Sequence, residues 1–309
     1  MTPLPRRALL AGAASSLLAS GARANAPQAE EQILERATSD SNEIVVTQAG
    51  SVRTMYFVQG ERWLIESRLD LRDPDALSLS VFRSMRAALL LQPMPKRVLM
   101  VGVGGGQLSN FLFSRLPGVE IDAVDIDPEV VRLARAHFQI PEDPRYRTHV
   151  GDGRLFVEQH AERDTDLLIL DAFRGTSVPY HLRTRQFYAA CRTRLRPGGA
   201  VVANLHTHAS RYLDDRATFG AVFEHEYGFI DEREAETTLV CTREPVGMYQ
   251  LRKNAVAADQ TFGPGMQRLG SHLQMHTVRG GQVLQDDFGD SATGAKRHNE
   301  SCRPRCKGD

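Results

Sequence analysis

Net charge is the first thing this chain lacks. Its 309 residues hold 38 lysines and arginines against 38 aspartates and glutamates. A nucleic-acid partner held by bulk positive charge is not expected, because such binding calls for a basic domain. Cysteine is scarce, with four residues, which excludes a disulfide scaffold. No apolar run reaches the roughly 20 residues of a comfortable membrane span. No internal repeat is present. What remains is ordinary soluble composition, 41% hydrophobic and 25% charged, which excludes wholesale disorder.

The neutrality is a sum of unlike parts. Residues 1–24 hold three arginines and no acid, and residues 289–309 hold five basic and three acidic residues. The stretch between them has 30 basic and 35 acidic residues. The N-terminal part pairs Arg6 with Arg7, follows with an uncharged Ala/Leu/Ser/Gly run, and reaches Ala22-Arg23-Ala24, a small-x-small cleavage pattern. It reads as a twin-arginine-like signal peptide over residues 1–24, which carries folded proteins to the periplasm. A cytoplasmic location is the alternative if this leader does not function. The tail after Phe288, with Cys302 and Cys306, is polar and is expected to be disordered.

Between these ends the pattern changes twice. Residues 30–37 read as a short acidic helix or linker. Residues 40–75 hold β-rich pieces broken at Ala49-Gly50 and Gln59-Gly60-Glu61, which predicts an antiparallel region of two or three strands. Residues 76–91 carry apolar positions at helical spacing up to Pro93 and Pro95. From Lys96 onward apolar strands alternate with helical segments, the pattern of an α/β fold with a parallel sheet and helices on both faces. One of these helices is predicted over residues 213–228. The α/β domain is expected to span 76–250, with 251–309 as an extension.

Chemistry gathers at the strand ends. Gly102-Val103-Gly104-Gly105-Gly106 follows the apolar run RVLMV, where glycines let backbone approach a ligand and the next helix points its positive end at it. Gln107 stands where the dinucleotide fingerprint needs glycine, and no Gly-Lys-Ser/Thr follows, so this is not a phosphate-cradling loop. Asp125 closes the next strand and suits the two ribose hydroxyls of an adenosine, while Asp127 suits the cap of the helix beginning at Pro128. Asp152, between Gly151 and Gly153, closes the third strand and suits an adenine amine. Asp171 closes the fourth. Each acid alone could be a turn residue, and the glycines alone could serve packing. Together they mark four successive strand ends, the edge where open α/β sheets bind ligands. With no basic residue in these loops to meet a pyrophosphate, the expected ligand is an adenosine without phosphates, S-adenosylmethionine or its decarboxylated form. His181 is a candidate base near neutral pH, with a packing or surface role in the loop as the favoured alternative. Asn204, His206 and His208 read as a loop beside the site rather than a metal centre, and Cys191 and Cys241 as buried small residues.

The segments RVLMVGVGGG, AVDIDPEVV, HVGDGRLF, LLILDAF and the Phe187–Gly199 stretch resemble the spermidine synthase family of aminopropyltransferases, in its bacterial spermidine synthase-like branch. The resemblance runs from about residue 40 to about residue 250. It implies a Rossmann-like, methyltransferase-type domain behind an N-terminal β-hairpin region, and a metal-free transferase moving an aminopropyl group from decarboxylated S-adenosylmethionine to a small-molecule amine. It implies that Gly102, Gly104, Gly105, Gly106 and Gln107 face the sulfonium and tail, that Asp125 and Ile126 meet the ribose side, and that Asp152 and Gly153 meet the adenine end. Asp171 would begin the catalytic loop and deprotonate the attacking amine. A homodimer is the assembly considered. The chain departs from the family's pattern in lacking an aspartate in the glycine loop, in carrying Arg174 where a second catalytic acid stands, and in offering Arg83 and Arg86 on the front helix. Those departures keep two alternatives open, a small-molecule methyltransferase and a non-catalytic exported nucleoside- or polyamine-binding protein.

Overall fold

Strand and helix follow from two periodicities, alternate burial in the front segments and continuous apolar runs behind them. The computed structural model describes residues 31–159, 164–173, 177–231, 236–274 and 280–286. The elements in chain order are β1 (Gln32–Thr38), β2 (Glu43–Ala49), β3 (Val52–Gln59), β4 (Arg62–Asp70), α1 (Ser80–Met85), α2 (Ala88–Leu91), β5 (Arg97–Val101), α3 (Gln107–Arg115), β6 (Glu120–Asp125), α4 (Pro128–His137) and β7 (Tyr146–Val150). There follow α5 (Gly153–Gln159), β8 (Thr165–Leu170), α6 (Arg185–Arg194), β9 (Leu195–His206), α7 (Tyr212–Gly220), β10 (His225–Asp231), β11 (Glu236–Thr242), α8 (Met248–Phe262), α9 (Met266–Ser271) and β12 (Leu273–Gln274).

The front four strands form one antiparallel sheet in the order β1-β2-β3-β4. Its inner face, with Ile44, Val46, Met55, Phe57 and Leu69, packs on Val130 and Leu133 of α4 and on Phe138. The second sheet runs β12-β10-β11-β9-β8-β5-β6-β7. Its β9-β8-β5-β6-β7 part is parallel, and β11 and β10 are added antiparallel at one side. Both faces of the parallel part are covered, as its apolar runs require. Val98 and Met100 of β5 point into the layer that holds α1, α2, α3 and α8, and Leu99 and Val101 into the layer of α5, α6 and α7. The chain leaves β5 toward β6 and later returns to β8 on its other side, so the carboxyl end of β5 is the switch point where such sheets open a crevice. This is the α/β, methyltransferase-like architecture expected, with its antiparallel front piece.

Several local expectations are corrected. Residues 32–38 are a strand rather than an acidic helix or linker, because pairing with the buried β2 outweighs the helix preference of the segment. The front sheet therefore has four strands rather than two or three. The helix expected over 76–91 is two short ones, α1 and α2, divided at Arg86-Ala87. The helix expected to continue to residue 228 ends at Gly220, and β10 begins at His225 because Tyr227 and Phe229, two apart, are both buried against the sheet. The segment from Leu251, expected as an extension, puts Leu251, Ala255, Ala258 and Phe262 into the main core. Cys191 and Cys241 are fully buried. The leader, Arg174, Phe288, Cys302 and Cys306 lie outside the described residues.

Asp127 joins the two sheets. As expected it caps α4, its Oδ1 accepting from Glu129 N at 3.0 Å. Its Oδ2 accepts from Ser39 Oγ at 2.5 Å and from Asn42 Nδ2 at 2.9 Å, both in the β1–β2 turn. The residue is 2% exposed, so removing the carboxylate leaves its half-buried donors unpaired. Asp127→Ala is expected to lower stability by about 3 kcal/mol, read as a lower urea midpoint.

Candidate active site

The site is built where β4 of the front sheet crosses the switch point. Met55 pairs with Ser67 and Tyr56 with Ile65, so Glu66 has no partner on β3 and forms a bulge. A bulge re-aims side chains. Here it lets two adjacent residues of β4 reach the same loop. Ser67 Oγ accepts from the buried Gly105 N at 2.7 Å. A Cβ built on Gly104 would lie 2.9 Å from Ser67 Oγ and 3.6 Å from Glu66 Oε1. Glu66 thus lies over the glycine loop.

The loop itself is fixed from below. Gly102 has φ +94°, and a Cβ there would overlap the backbone carbonyl of Asp171, so only glycine lets the ends of β5 and β8 close together. A Cβ on Gly105 would meet Ser67 and Phe138, and one on Gly106 would overlap Ile140. The Cβ sides of these two glycines are filled by β4 and the end of α4. Gln107 is engaged with the backbone of the front segment. It is 3% exposed, and its Nε2 donates to the carbonyls of Arg68 at 2.5 Å and Ala76 at 3.1 Å. Gly102 and Gly104 remain at the strand-end crevice.

Asp125 organises that loop. Its Oδ2 accepts from Val103 N at 2.9 Å and Gly104 N at 3.4 Å, and its Oδ1 from Asp127 N at 3.0 Å. A carboxylate has roughly four acceptor sites, so about one is left for a ribose hydroxyl rather than two. Ile126 beside it is 60% exposed, an apolar side chain held at the rim. Asp152 caps α5, its Oδ1 accepting from Arg154 N and Leu155 N, both at 2.9 Å, and its Oδ2 lies 2.9 Å from His181 Nε2. These contacts hold its carboxyl below the usual range against the opposing effect of burial. A Cβ on Gly153 would overlap Val101, so Gly153 seats α5 on β5.

His181 therefore stands at the β7 end of the crevice. Asp171 ends β8, three strand spacings away, or about 14 Å. His181 is thus held by Asp152, away from Asp171. The front arginines are corrected. Arg83 donates to the carbonyls of Leu77 and Ser78, and Arg86 to those of Arg83 and Phe262, where it also lies over the Phe111 ring. Both are committed to the scaffold and leave the amine channel.

Asp171 receives Asn204 Nδ2 on Oδ1 at 3.3 Å. Burial raises its carboxyl to about 6, offset in part by that hydrogen bond. Asp125 is raised as well, by burial above all. Glu66 goes furthest, to about 8, through burial first and then the charges of Asp171 and Asp125. Sequence reading missed Glu66, because an acid in an antiparallel strand looks like any solvated alternate position. It also missed Asn204 as part of this group. Asn204 is 6% exposed, and its Oδ1 is buried with no hydrogen-bond partner. Among the described residues no lysine or arginine contributes to the shifts of Glu66, Asp125 or Asp171. Three acids converging with no cation among the described residues suit a cationic ligand.

The profile of the spermine/spermidine synthase domain matches residues 85–214. A polyamine aminopropyltransferase of Chromobacterium violaceum is 32% identical over 229 residues, 72% of this chain and 85% of that protein. One of Vibrio vulnificus is 30% identical over 217 residues, 68% of this chain and 72% of that protein. Among solved structures, a probable spermidine synthase from Corynebacterium glutamicum superposes with a TM-score of 0.65 at 19% identity, covering 83% of this chain and 97% of that one. Human methyltransferase-like protein 13, solved with SAH, gives 0.55 at 25% identity, with 60% and 92% covered.

The raised carboxyls have a consequence for stability. The folded protein holds a proton on Glu66 up to about 8, whereas an unfolded glutamate releases it near 4.5. Stability from this group therefore falls as pH rises through that window. Glu66→Gln is expected to stabilise the free protein by about 2 kcal/mol at about pH 8.5, with no difference near pH 4. Urea unfolding at the two pH values checks it.

Proposed function

The chain belongs to the spermine/spermidine synthase family, and on that premise we propose that it moves the aminopropyl group of decarboxylated S-adenosylmethionine onto a primary amine. The observation that carries the choice of donor is the convergence of Glu66, Asp125 and Asp171. The decarboxylated donor brings a sulfonium and an ammonium. S-adenosylmethionine adds a carboxylate at the same end, which these acids would repel.

In this reading Ile126 and the remaining acceptor site of Asp125 hold the nucleoside, and Asp152 stands at the adenine end. Glu66 faces the donor's ammonium. The acceptor arrives as an ammonium ion and gives a proton to Asp171, whose raised carboxyl suits it to act as a base near neutral pH. Asn204 Oδ1 accepts a remaining N–H. The amine lone pair attacks the methylene carbon beside the sulfonium, the C–N bond forms, and the C–S pair returns to sulfur. Methylthioadenosine leaves, and the new secondary ammonium sheds its extra proton to solvent. No metal is needed.

The methyltransferase reading draws on the same scaffold and on the likeness to a methyltransferase-like protein, but it must seat a carboxylate tail among three acids. The non-catalytic reading leaves the raised carboxyl of Asp171 and the orphaned Asn204 Oδ1 without a role. Export through the leader fits a protein that folds around its donor first. Lysine substitution of Arg6 and Arg7 is expected to keep the protein in the cytoplasm, which cell fractionation reads. Equal partition of both forms would count against export.

Calorimetry with the two donors tests the main reading. The decarboxylated donor is expected to bind about ten-fold or more tightly than S-adenosylmethionine, and Glu66→Gln to narrow that gap. Asp171→Asn is expected to cut methylthioadenosine release by about 100-fold or more. Equal or tighter binding of S-adenosylmethionine together with methyl transfer would overturn the assignment.

A further inference from the structure

Residues 280–286 run as a strap without regular structure from α7 to the start of α6. At the α7 end Gln282 N donates to Asp214 Oδ1 at 2.9 Å and Leu284 N to Thr218 Oγ1 at 3.0 Å. Leu284 is buried, so the strap is packed into the molecule rather than laid on it. Its carbonyl accepts from Arg185 N at 2.8 Å, and the carbonyl of Gln285 from Tyr180 Oη at 2.9 Å. Asp286 then receives both terminal nitrogens of Arg154, at 2.7 and 2.6 Å. A bidentate pair of this kind fixes geometry as well as charge. Arg154 lies in the first turn of α5, and its Nη1 also reaches the His181 carbonyl at 3.3 Å. The strap therefore grips the helical turn Tyr180–Leu182 twice, directly at Tyr180 and through Arg154 at His181.

What that turn carries bears on Asp152. Asp152 Oδ1 is filled by Arg154 N and Leu155 N, and Oδ2 meets His181 Nε2. A carboxylate only accepts, so the ring presents Nε2–H to it. Of roughly four acceptor sites about one remains, on Oδ2, and His181 decides which. The imidazole is half-exposed, so its place is set chiefly by the backbone that bears it. Resting on the reading of Asp152 as the adenine end, we propose that Asp286 is a positioning residue for the nucleobase. Through Arg154 it sets the turn of His181, and His181 aims the one open acceptor of Asp152 at the exocyclic amine of adenine. A purine with oxygen at that position would bring an acceptor against an acceptor and is rejected. Asp286 touches no part of the donor in this arrangement. Its loss does not strand a cation either, because Arg154 Nε keeps Glu158 Oε1 at 2.7 Å.

Calorimetry on the full-length protein compares methylthioadenosine with methylthioinosine, which carries oxygen in place of the amine. The unaltered protein is expected to prefer the adenosine about ten-fold or more. Asp286→Asn is expected to cut that preference to about two-fold, and to raise the donor KM about ten-fold with kcat changed by less than about two-fold. Asp286→Glu, which keeps a carboxylate for Arg154, is expected to retain most of the preference. His181→Ala breaks the same link further along and is expected to narrow the preference as Asp286→Asn does. Should Asp286→Asn fail to fold, His181→Ala decides by the same readout. A preference that survives Asp286→Asn or His181→Ala, or a fall in kcat with the donor KM unmoved, would overturn the proposal and leave the adenine assignment standing. Failure of the unaltered protein to bind methylthioadenosine, or to prefer it, would defeat the assignment of Asp152 to adenine and the inference with it.

Discussion

Glu66 has no partner across β4 and β3, and much of the site depends on that one unpaired residue. In a regular strand Glu66 and Ser67 would face opposite sides of the sheet. The bulge brings both to the glycine loop. Ser67 docks the front sheet on Gly105, and Glu66 adds a carboxylate to the two that the strand ends supply. The front sheet is therefore part of the chemistry, and the acid that the glycine loop lacks arrives from another element.

The resulting electrostatics divide the crevice. On the β5–β6 side, carboxylates crowd one another and are held above their ordinary values, an arrangement that a bound cation relieves. On the β9 side stand an amide oxygen, a phenyl ring and a neutral imidazole. The β5–β6 half of the site stores repulsion to be released by a positively charged donor. Asp171 sits on the boundary and serves both.

How much of this could be read from sequence depended on how local the signal was. Gly102, Asp125, Asp152 and Asp171 stood out because each closes a strand of the strand–helix alternation, and strand ends of a parallel sheet share an edge. Asp127 was legible as a cap because Pro128 follows it. The sequence pattern could not place Glu66, since a bulge is defined by pairing with β3. Nor could it place β1, whose residues suit a helix until β2 is beside them. Arg83 and Arg86 looked like channel cations because the carbonyls that hold them, among them that of Phe262, are distant along the chain. The partner of His181, Asp152, lies 29 positions away in the chain and was not predicted. The departures from the family's pattern at the glycine loop and front helix thus lose much of their force once the contacts are known.

The closeness of Gly102 to the Asp171 carbonyl has a consequence for anyone recombining this scaffold. The glycine loop and the segment after β8 lie far apart in the chain, yet they fit as two halves of one hinge pin, with no room for even a methyl group between them. A loop borrowed from a relative with any side chain at position 102 would have to bring that relative's β8 end with it. Grafts that move one without the other would shift the base relative to the donor, so the two segments form a single unit of exchange.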